Sequence, residues 1–234
     1  MKSLNENKLK LSVIIPVFNE KDTVERAIQR IVNLGITKEI IVIDDCSSDG
    51  SEIILNNIKT KYPFTLIRNL KNEGKGYSVV AASKVAKGEY IIVEDSDLEL
   101  NPEDILDMLK IIEKDGCDMV NGNRNISSEN NSNFISKIAK VVTKIMMKIF
   151  YNQSVNDLLS SYKLCKVEKF KSLNLQSKRF GFETEWLIKA LKNKWKIKEM
   201  KIDYVPRKFS AGKKITFKDG LDIMLDIIKY RFQS

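Results

Sequence analysis

The first half of the chain alternates short apolar runs with longer segments in which apolar residues recur at helical spacing. The apolar runs predict buried strands at residues 11–17, 39–45, 64–69, 89–95 and 117–123. The amphipathic segments between them predict helices at residues 23–34, 50–62, 76–88 and 102–116. Because buried strands that alternate with such helices form covered parallel sheets, the pattern predicts an α/β fold with a mostly parallel sheet and helices on both faces.

The second half of the chain is richer in helix. Its pattern predicts helices at 134–150, 182–194 and 217–232, a strand within 196–206 and a polar loop at 127–133. No internal repeat or low-complexity linker separates the two halves in the sequence, so we expect one continuous domain over residues 1–234.

The predicted helix at 134–150 carries a basic stripe on an otherwise apolar surface. Lysines recur three or four residues apart along it: Lys137, Lys140, Lys144 and Lys148. A strongly apolar helix with such an edge can lie in the interface of a membrane. It can equally be a domain helix whose lysines face water, and the sequence leaves both interpretations open.

Charge is divided unevenly between the two halves. The net charge is +9, but residues 1–117 hold 16 Lys and Arg against 20 Asp and Glu, whereas residues 118–234 hold 24 against 11. The basic second half favours an anionic partner, which can be a membrane surface, a phosphate-bearing ligand or nucleic acid. A general bias toward lysine on exposed helix faces is the simpler alternative.

Histidine is absent from the sequence and cysteine is rare, which excludes several classes of chemistry. Without histidine there is no Ser-His-Asp or Cys-His catalysis and no histidine-based zinc site, so carboxylates are the expected metal ligands. The three cysteines are far apart and suggest a reducing, cytosolic location rather than a disulfide framework. The polar first residues do not resemble a signal peptide, and no apolar run approaches the ~20 residues of a membrane-spanning helix.

Four carboxylates crowd into the segment VEDSDLE at 93–99, directly after an apolar run. Carboxylates at this density repel one another, so a positive group is expected among them. Asp95 and Asp97 have the spacing to approach one hard cation, Mg²⁺ or Mn²⁺, that also binds phosphate oxygens of a substrate. A solvated turn is the alternative. Glu94 and Glu99 are expected to support the structure of the segment.

Two more polar clusters follow predicted strands, at the edge where ligands bind in open parallel sheets. Asp44 and Asp45 can accept hydrogen bonds from a ribose or a base edge, or can belong to a turn that caps the next helix. The segment NEGKG at 72–76 can bring backbone N–H groups and the Lys75 ammonium to a phosphate, or can simply be a turn that begins a helix. Its spacing is not that of a Walker A loop.

Taken together, these motifs resemble those of the family-2 glycosyltransferases in order and spacing: VIIPVFNE at 13–20, VIDDCSSDG at 42–50, NEGKG at 72–76, VEDSDLE at 93–99 and GNR at 122–124. Later segments are similar more specifically to the polyprenol- and dolichol-phosphate sugar transferases: DLLSSYK at 157–163, RFGFETEWLIKA at 179–190 and YVPRKFSAGKKITFKDG at 204–220. The resemblance implies the Rossmann-like GT-A fold, a nucleotide-diphosphate sugar as donor and a divalent metal, Mg²⁺ or Mn²⁺.

The same resemblance implies roles for individual residues. Those implied to line the nucleotide sugar are Pro16, Phe18, Glu20, Asp45 and Lys75. Asp95 and Asp97 would hold the metal and the diphosphate, which makes residues 11–123 the donor-binding half. Those implied to bind the phosphate of the acceptor are Arg124, Arg207 and Lys213, within an acceptor-binding half at 124–234.

The implied activity is that of an inverting, metal-dependent enzyme of cell-envelope glycan synthesis. It would move a hexose from GDP- or UDP-hexose to a polyprenyl phosphate. Such an acceptor is already an anionic nucleophile, so a site without histidine suffices. The expected location is cytoplasmic and peripheral on the inner face of the membrane, where the basic half would meet anionic lipid.

Two other functions stay open at this point. Transfer to a hydroxyl of a glycan would need a carboxylate base, for which Asp157, Glu183 and Glu185 are candidates, although the two glutamates can simply favour the start of a helix. A non-catalytic nucleotide- or nucleic-acid-binding protein is the more remote alternative. Nucleic acid is not an expected partner, because carboxylates cluster where a groove for it would need positive charge and the aromatic residues form no ordered stacking platform.

Overall fold

The computed structural model describes residues 9–124, 134–179, 181–207 and 217–232, with the backbone alone for 134–140 and 217–224. The predicted polar loop at 127–133 and the acceptor candidate Lys213 lie outside the described residues. The same holds for the side chains of Lys137 and Lys140.

Within the described residues, seven strands form one sheet. Their bounds are Leu11–Val17 (β1), Lys38–Asp44 (β2), Thr65–Arg68 (β3), Tyr90–Val93 (β4), Met119–Asn123 (β5), Lys163–Lys166 (β6) and Ile197–Lys201 (β7). The order across the sheet is β3-β2-β1-β4-β6-β5-β7. Neighbouring strands pair in parallel except at β6, which is antiparallel to both β4 and β5. The predicted α/β fold with a mostly parallel sheet is confirmed.

The helices connect the strands and follow the last of them. Their bounds are Val24–Val32 (α1), Ser51–Ile58 (α2), Lys75–Ser83 (α3), Asp104–Asp115 (α4), Phe134–Tyr151 (α5), Val167–Ser172 (α6), Phe182–Lys192 (α7) and Phe217–Phe232 (α8). Each helix predicted from the sequence is present, although several end earlier than their amphipathic pattern. Helix α4 is capped by Gly116, whose φ of +55° is left-handed and suits a residue without a β-carbon.

The sequence pattern did not predict β6 or α6. Strand β6 has only four residues and begins with Lys163, whose side chain is fully buried. Because lysine is rarely buried completely, this position appears exposed in a hydrophobic pattern. Helix α6 follows at once from Val167 and is too short for a helical repeat to be recognised.

Apolar side chains cover both faces of the sheet. On one face Val13 and Ile15 of β1 pack with α1, α2 and α4, and on the other Ile14 packs with α3 and α7. This division follows from the strand period of two residues. The second face is centred on Trp186, which is fully buried and lies edge-on against Phe170 at 4.7 Å between ring centroids. The faces are thus filled, and the edges of the sheet are left for ligands.

The candidate residues gather at one edge of the sheet. Strands β1, β2, β4 and β5 run in the same direction, so their carboxyl ends meet there. Because β6 runs the opposite way, it begins at this edge and brings the segment before it to the same place. We call that segment, residues 156–162, the pre-β6 loop. Ligands of open parallel sheets bind beyond such an edge.

Candidate active site

The loops after β1 and β2 are joined by hydrogen bonds into one wall of the site. Asn19, at a left-handed φ of 56°, donates its amide N–H to Ser47 Oγ at 3.0 Å. Its side-chain oxygen accepts the Ser48 amide at 2.8 Å, and the Glu20 amide donates to Ser51 Oγ at 2.9 Å. Asparagine takes this conformation more readily than most residues, which explains its place in the turn.

Two of the residues that were predicted to bind the nucleotide sugar lie along this wall. The carbonyl oxygen of Pro16 accepts a hydrogen bond from Ser96 Oγ at 3.1 Å, which ties the wall to the loop after β4. The side chain of Phe18 is 36% exposed at the end of β1 and so presents an aromatic surface to solvent. Their contact with a nucleotide sugar stays a prediction.

Asp45 organises the loop that leads into α3. Its Oδ1 accepts hydrogen bonds from Asn69 Nδ2 at 2.7 Å and from the Glu73 amide at 2.9 Å. Its Oδ2 accepts the Gly74 amide at 2.8 Å, and the side chain is buried. The carboxylate is therefore used to shape the loop that presents Lys75. Its predicted contact with a nucleotide would have to share these oxygens.

The two glycines of NEGKG are required by close packing against another segment. A β-carbon on Gly74, whose φ is +96°, would collide with the carbonyl oxygen of Lys178, and one on Gly76 would collide with that of Ser177. The Tyr77 amide also donates to the Lys178 carbonyl at 3.3 Å. The glycines thus allow the segment before α7 to lie across the start of α3. This packing role was not foreseen from the sequence.

Lys75 is the positive group that the carboxylates after β4 required. Its Nζ lies 2.7 Å from Asp95 Oδ1 and 2.6 Å from Glu183 Oε1. Burial alone would lower the pKa of Lys75, but these two carboxylates raise it above its ordinary value. In the same way burial would raise the pKa of Asp95, yet Lys75 and a hydrogen bond with Ser161 lower it. Both groups are therefore held in their charged forms.

Asp97 belongs to a second ion pair, with Arg207. The guanidinium Nη2 lies 2.9 Å from Glu20 Oε2 and 3.6 Å from Asp97 Oδ2, and Nε donates to the Asp97 carbonyl oxygen at 3.0 Å. The Arg207 amide donates to Glu99 Oε1 at 2.9 Å. Arg207 was predicted to meet the acceptor, but it joins two loops of the donor side. Its predicted phosphate contact stays a prediction.

Arg124 forms a bidentate ion pair with Asp157, which lies in the pre-β6 loop. Arg124 Nε donates to Asp157 Oδ2 at 2.7 Å and Nη2 donates to Oδ1 at 2.9 Å. The guanidinium also lies 5.3 Å from the ring centroid of Tyr204. Burial would raise the pKa of Asp157, but Arg124 lowers it below its ordinary value. A general base works best with a pKa near the working pH, and the lowered pKa of Asp157 does not suit that role. Its two contacts with Arg124 instead favour Asp157 as the residue that orients this guanidinium.

The two glutamates near the start of α7 have different surroundings. Glu183 faces Lys75, as described, whereas Glu185 is fully buried and accepts the amides of Gln176 at 2.9 Å and Ser177 at 2.6 Å. Lys189 lies 2.8 Å from Glu185 Oε1. Glu185 therefore fixes the segment that crosses the start of α3, and this structural setting does not favour it as a base.

Glu94 is a buried acid beneath the site. It is fully buried and accepts a short hydrogen bond from the Tyr162 hydroxyl group. Burial raises the pKa of Glu94 to about 8, so its neutral form prevails near neutral pH. Glu94 was expected to be structural, but its partner was not predicted because β6 was missed. The sequence did contain one signal for this region, because the motif DLLSSYK at 157–163 includes Tyr162.

The carboxylate pair after β4 fits a hard divalent cation. Asp95 and Asp97 are separated by one residue, and each side chain is 27% exposed at the edge of the sheet. Across the described residues no group of three or more acidic, cysteine or histidine side chains is placed to bind a metal. Magnesium in phosphate-transfer sites is commonly held by one or two carboxylates together with substrate phosphates, so two carboxylates suffice.

The comparison with known families agrees with this geometry. A family model described as "Glycosyl transferase family 2" matches residues 12–173. The match spans more than half of the chain and runs from β1 to beyond β6. The chain belongs to glycosyl transferase family 2. It is therefore an enzyme of the glycosyltransferase class, as the motifs implied.

Two curated relatives match this chain over different shares of its length. The chain is 32% identical over 190 residues to a dolichol-phosphate mannosyltransferase of Pyrococcus furiosus, over 78% of this chain and 53% of that protein. It is 39% identical over 103 residues to a poly(ribitol-phosphate) beta-glucosyltransferase of Bacillus spizizenii, over 42% of this chain and 16% of that protein. The chain thus spans about half the length of the first relative and less of the second.

A solved structure supports the family-2 fold. The glucosyl-3-phosphoglycerate synthase of Mycobacterium tuberculosis, in complex with Mn²⁺, uridine diphosphate and glucosyl-3-phosphoglycerate, superposes with a TM-score of 0.70. The alignment covers 94% of this chain and 79% of that one at 16% identity. At this identity the likeness shows the fold, and the predicted GT-A architecture is confirmed.

Proposed function

We propose that this glycosyltransferase moves a hexose from a UDP- or GDP-hexose to a polyprenyl phosphate, with inversion at the transferred carbon. The observation that carries the proposal is the proximity of two ion pairs, Asp95–Lys75 and Arg124–Asp157. Asp95 follows β4 and Arg124 follows β5, and only β6 lies between these two strands in the sheet. The two side chains are also near enough for each to shift the pKa of the other. A donor diphosphate bound at the first pair and an acceptor phosphate bound at the second would therefore be neighbours.

The donor would bind along the wall formed by the loops after β1 and β2. In this proposal the nucleotide contacts come from Pro16, Phe18, Glu20 and Asp45. A protein of similar fold is known with uridine diphosphate and Mn²⁺, which supports a nucleotide donor and a divalent metal here.

Asp95 and Asp97 would hold Mg²⁺ or Mn²⁺ against the diphosphate. When bound, the metal would supply a Lewis acid for the negative charge that develops on the leaving group. The Lys75 ammonium adds a second positive charge, and Asp95 and Glu183 hold it in place before any ligand arrives. Preorganised charge of this kind stabilises a transition state without further rearrangement.

The acceptor phosphate would meet Arg124. A guanidinium has five N–H donors in a planar fork, and Asp157 uses those on Nε and Nη2. The remaining N–H groups suit phosphate oxygens. A phosphate oxygen would then attack the anomeric carbon from the side opposite the diphosphate, so the new C–O bond forms as the old one breaks. The phosphate has no proton to lose in this step, which fits a site without histidine.

The helices α5 and α8 support a membrane-bound acceptor. Exposed apolar side chains recur along both helices: Val141, Ile145 and Ile149 on α5, and Leu225, Ile228 and Phe232 on α8. Basic residues accompany them: Lys144 and Lys148 on α5, and Lys229 and Arg231 on α8. A helix with apolar and basic faces suits the interface of an anionic membrane. None of the described helices has the length and apolar character needed to cross one.

A donor and acceptor screen tests the proposal. Purified protein with Mg²⁺ or Mn²⁺ is given a panel of UDP- and GDP-hexoses, and nucleotide release is measured with and without a short polyprenyl phosphate. We expect release that needs both metal and lipid with one donor. Asp97→Asn serves as the blank. Metal-dependent release that is indifferent to the lipid would contradict the proposed acceptor while leaving the enzyme class intact.

Transfer to a hydroxyl of a glycan or polyol is the second candidate. The partial match to a poly(ribitol-phosphate) beta-glucosyltransferase supports it. A hydroxyl acceptor would require a base. Arg124 occupies both carboxylate oxygens of Asp157, whereas Lys75 contacts only Oε1 of Glu183, so we take Glu183 as the candidate. Adding soluble glycan and polyol-phosphate acceptors to the same screen separates the two candidates. Loss of that transfer in Glu183→Gln, with donor binding kept, would favour the second.

A further inference from the structure

A fully buried lysine lies at the start of β6 and has no place in the mechanism so far. Lys163 sits at the carboxyl edge of the sheet because β6 is antiparallel to its neighbours. Its side chain is 0% exposed. The Nζ donates to the carbonyl oxygen of Leu158 at 3.1 Å and, in a shorter contact, to that of Ser160. A cation thus holds the carbonyl groups of the pre-β6 loop.

An anion holds the amide groups of the same loop. Glu199, on β7, accepts the Asn156 amide at 3.0 Å and the Asp157 amide at 3.4 Å. The buried Asn121 supports both partners, because its Nδ2 donates to the Asp157 carbonyl at 2.9 Å and to Glu199 Oε1 at 3.3 Å. The pre-β6 loop is therefore held at its amide groups from one side and at its carbonyl groups from the other.

This loop carries two side chains that face the proposed reacting groups. Asp157 binds the Arg124 guanidinium at two points, and Ser161 lies near enough to Asp95 to lower the pKa of that carboxyl group. A shift of the loop would move Arg124 relative to Asp95. The distance between the proposed acceptor and donor positions therefore depends on how firmly the loop is fixed.

We propose that Lys163 and Glu199 are positioning residues that hold the pre-β6 loop, and through Asp157 the Arg124 guanidinium, in register with the donor site. The inference rests on the proposed function only in taking Arg124 as the residue that meets the acceptor. Burying a charge is costly, and an apolar side chain of similar length would fill the same space at less cost. Such departures from a stable core are expected at functional sites.

A matched pair of variants tests the inference. Lys38 begins β2 at the opposite edge of the sheet and also donates its Nζ to two preceding carbonyl oxygens, those of Leu34 at 2.6 Å and Ile36 at 3.3 Å. Lys163→Met and Lys38→Met remove the same kind of contact, one inside the site and one far from it. We expect faster amide hydrogen exchange in a peptide spanning 156–161 for Lys163→Met, and none of this change for Lys38→Met.

The kinetic arm separates positioning from general destabilisation. For Lys163→Met we expect the KM for polyprenyl phosphate to rise roughly tenfold or more, the size of effect seen when a residue that orients a metal ligand is removed. The KM for the nucleotide sugar should change little. Glu199→Gln should act in the same direction. Equal changes in both KM values, or an unchanged exchange rate at 156–161, would overturn the inference.

The two arms also distinguish this inference from the proposed function. If the unmodified protein does not use polyprenyl phosphate, the proposed acceptor is wrong. The exchange comparison of Lys163→Met with Lys38→Met then still decides whether Lys163 fixes the loop, and inorganic phosphate binding, measured by calorimetry in both variants, decides whether it acts on Arg124. Unchanged phosphate affinity in Lys163→Met would contradict that second step.

Discussion

The two sides of the site meet at one edge of the sheet but are built in different ways. On the donor side, loops that follow the parallel strands β1, β2 and β4 hold one another through side chain–backbone hydrogen bonds. On the acceptor side, the pre-β6 loop precedes an antiparallel strand and is held by a buried cation and an acidic side chain, Lys163 and Glu199. The donor side is thus shaped by loops that follow parallel strands, whereas the acceptor side is shaped by charged side chains that hold a single loop.

The difference extends to how each side balances its charges. The donor side is acidic, and each of its central carboxylates has a basic partner: Lys75 for Asp95, and Arg207 for Asp97 and Glu20. Arg207 comes from the basic second half of the chain, so the two halves of opposite charge meet within the site. Ion pairs that exist before the ligand arrives reduce the rearrangement that binding requires.

The largest effect should come from the donor side. Asp97→Asn removes a proposed metal ligand while its shape is kept. We expect turnover to fall by roughly a thousandfold, since a bound metal contributes several kcal/mol of charge stabilisation. Asp107→Asn, an exposed α4 residue that pairs with Lys110 at 2.7 Å, is the control and should retain activity. If Asp97→Asn turned over normally, the donor side as described here would be wrong.

A smaller effect is expected on the acceptor side from Arg124→Lys. This change keeps the charge but loses the two-point contact with Asp157. Because a hydrogen bond to a charged group contributes about 1.5–3 kcal/mol, we expect the KM for the acceptor to rise roughly tenfold to a hundredfold. The KM for the nucleotide sugar should change little. The matched control is Arg68→Lys. The Nε of Arg68 lies 3.4 Å from Asp44 Oδ2, so this change also replaces a guanidinium that faces a carboxylate. A rise confined to the donor KM would assign Arg124 to the donor side.

The two sides also differ in how far the sequence could predict them. Strands and helices of the donor side alternate with clear periods, so the polar residues after each strand could be chosen in advance, Asp95 and Asp97 among them. Lys75 was included for phosphate, whereas its contacts with Asp95 and Glu183 join residues distant in sequence. No local pattern reports such a pairing.

The acceptor side was harder to predict because its main support breaks a sequence rule. A buried lysine begins a four-residue strand, so the hydrophobic pattern gives no strand there. Without β6, neither the Tyr162 contact with Glu94 nor the position of Ser161 beside Asp95 could follow. Arg124 follows a predicted strand and Asp157 was a candidate base, but the pairing of the two residues emerged only from the fold.

A third experiment asks whether the acceptor side includes a membrane. Ile149→Ser on α5 replaces an exposed apolar side chain with a polar one. Ile53→Ser makes the same change at an exposed position of α2 and is the control. Since burying an isoleucine side chain contributes about 1.5–3 kcal/mol, we expect roughly tenfold weaker binding to anionic vesicles for Ile149→Ser. Co-sedimentation with phosphatidylglycerol vesicles measures it. Equal binding of both variants and the unmodified protein would contradict a membrane-facing α5.

The smallest predicted effect concerns pH and the buried cation of the acceptor side. Burial lowers the pKa of Lys163 to about 8, against the attraction of Glu183 and Asp157 and together with the repulsion of Arg124 and Lys75. The unfolded chain has an ordinary lysine pKa, so between the two values it binds more protons than the folded chain does. Stability from this group therefore rises with pH, starting near the folded pKa and levelling off above the unfolded pKa.

Comparison with Lys163→Met isolates that contribution, because other titrating groups are shared by the two proteins. We expect the difference in the free energy of unfolding, unmodified protein minus variant, to increase by about 1 kcal/mol between pH 7 and pH 9. Proton linkage requires this increase for a lysine whose pKa is lowered by burial. Urea denaturation at each pH measures it. Lys75→Met should not reproduce the trend, since the pKa of Lys75 is raised. Parallel stability curves for the unmodified protein and Lys163→Met would mean that Lys163 keeps its proton throughout, and that the acceptor side is held by a permanent charge.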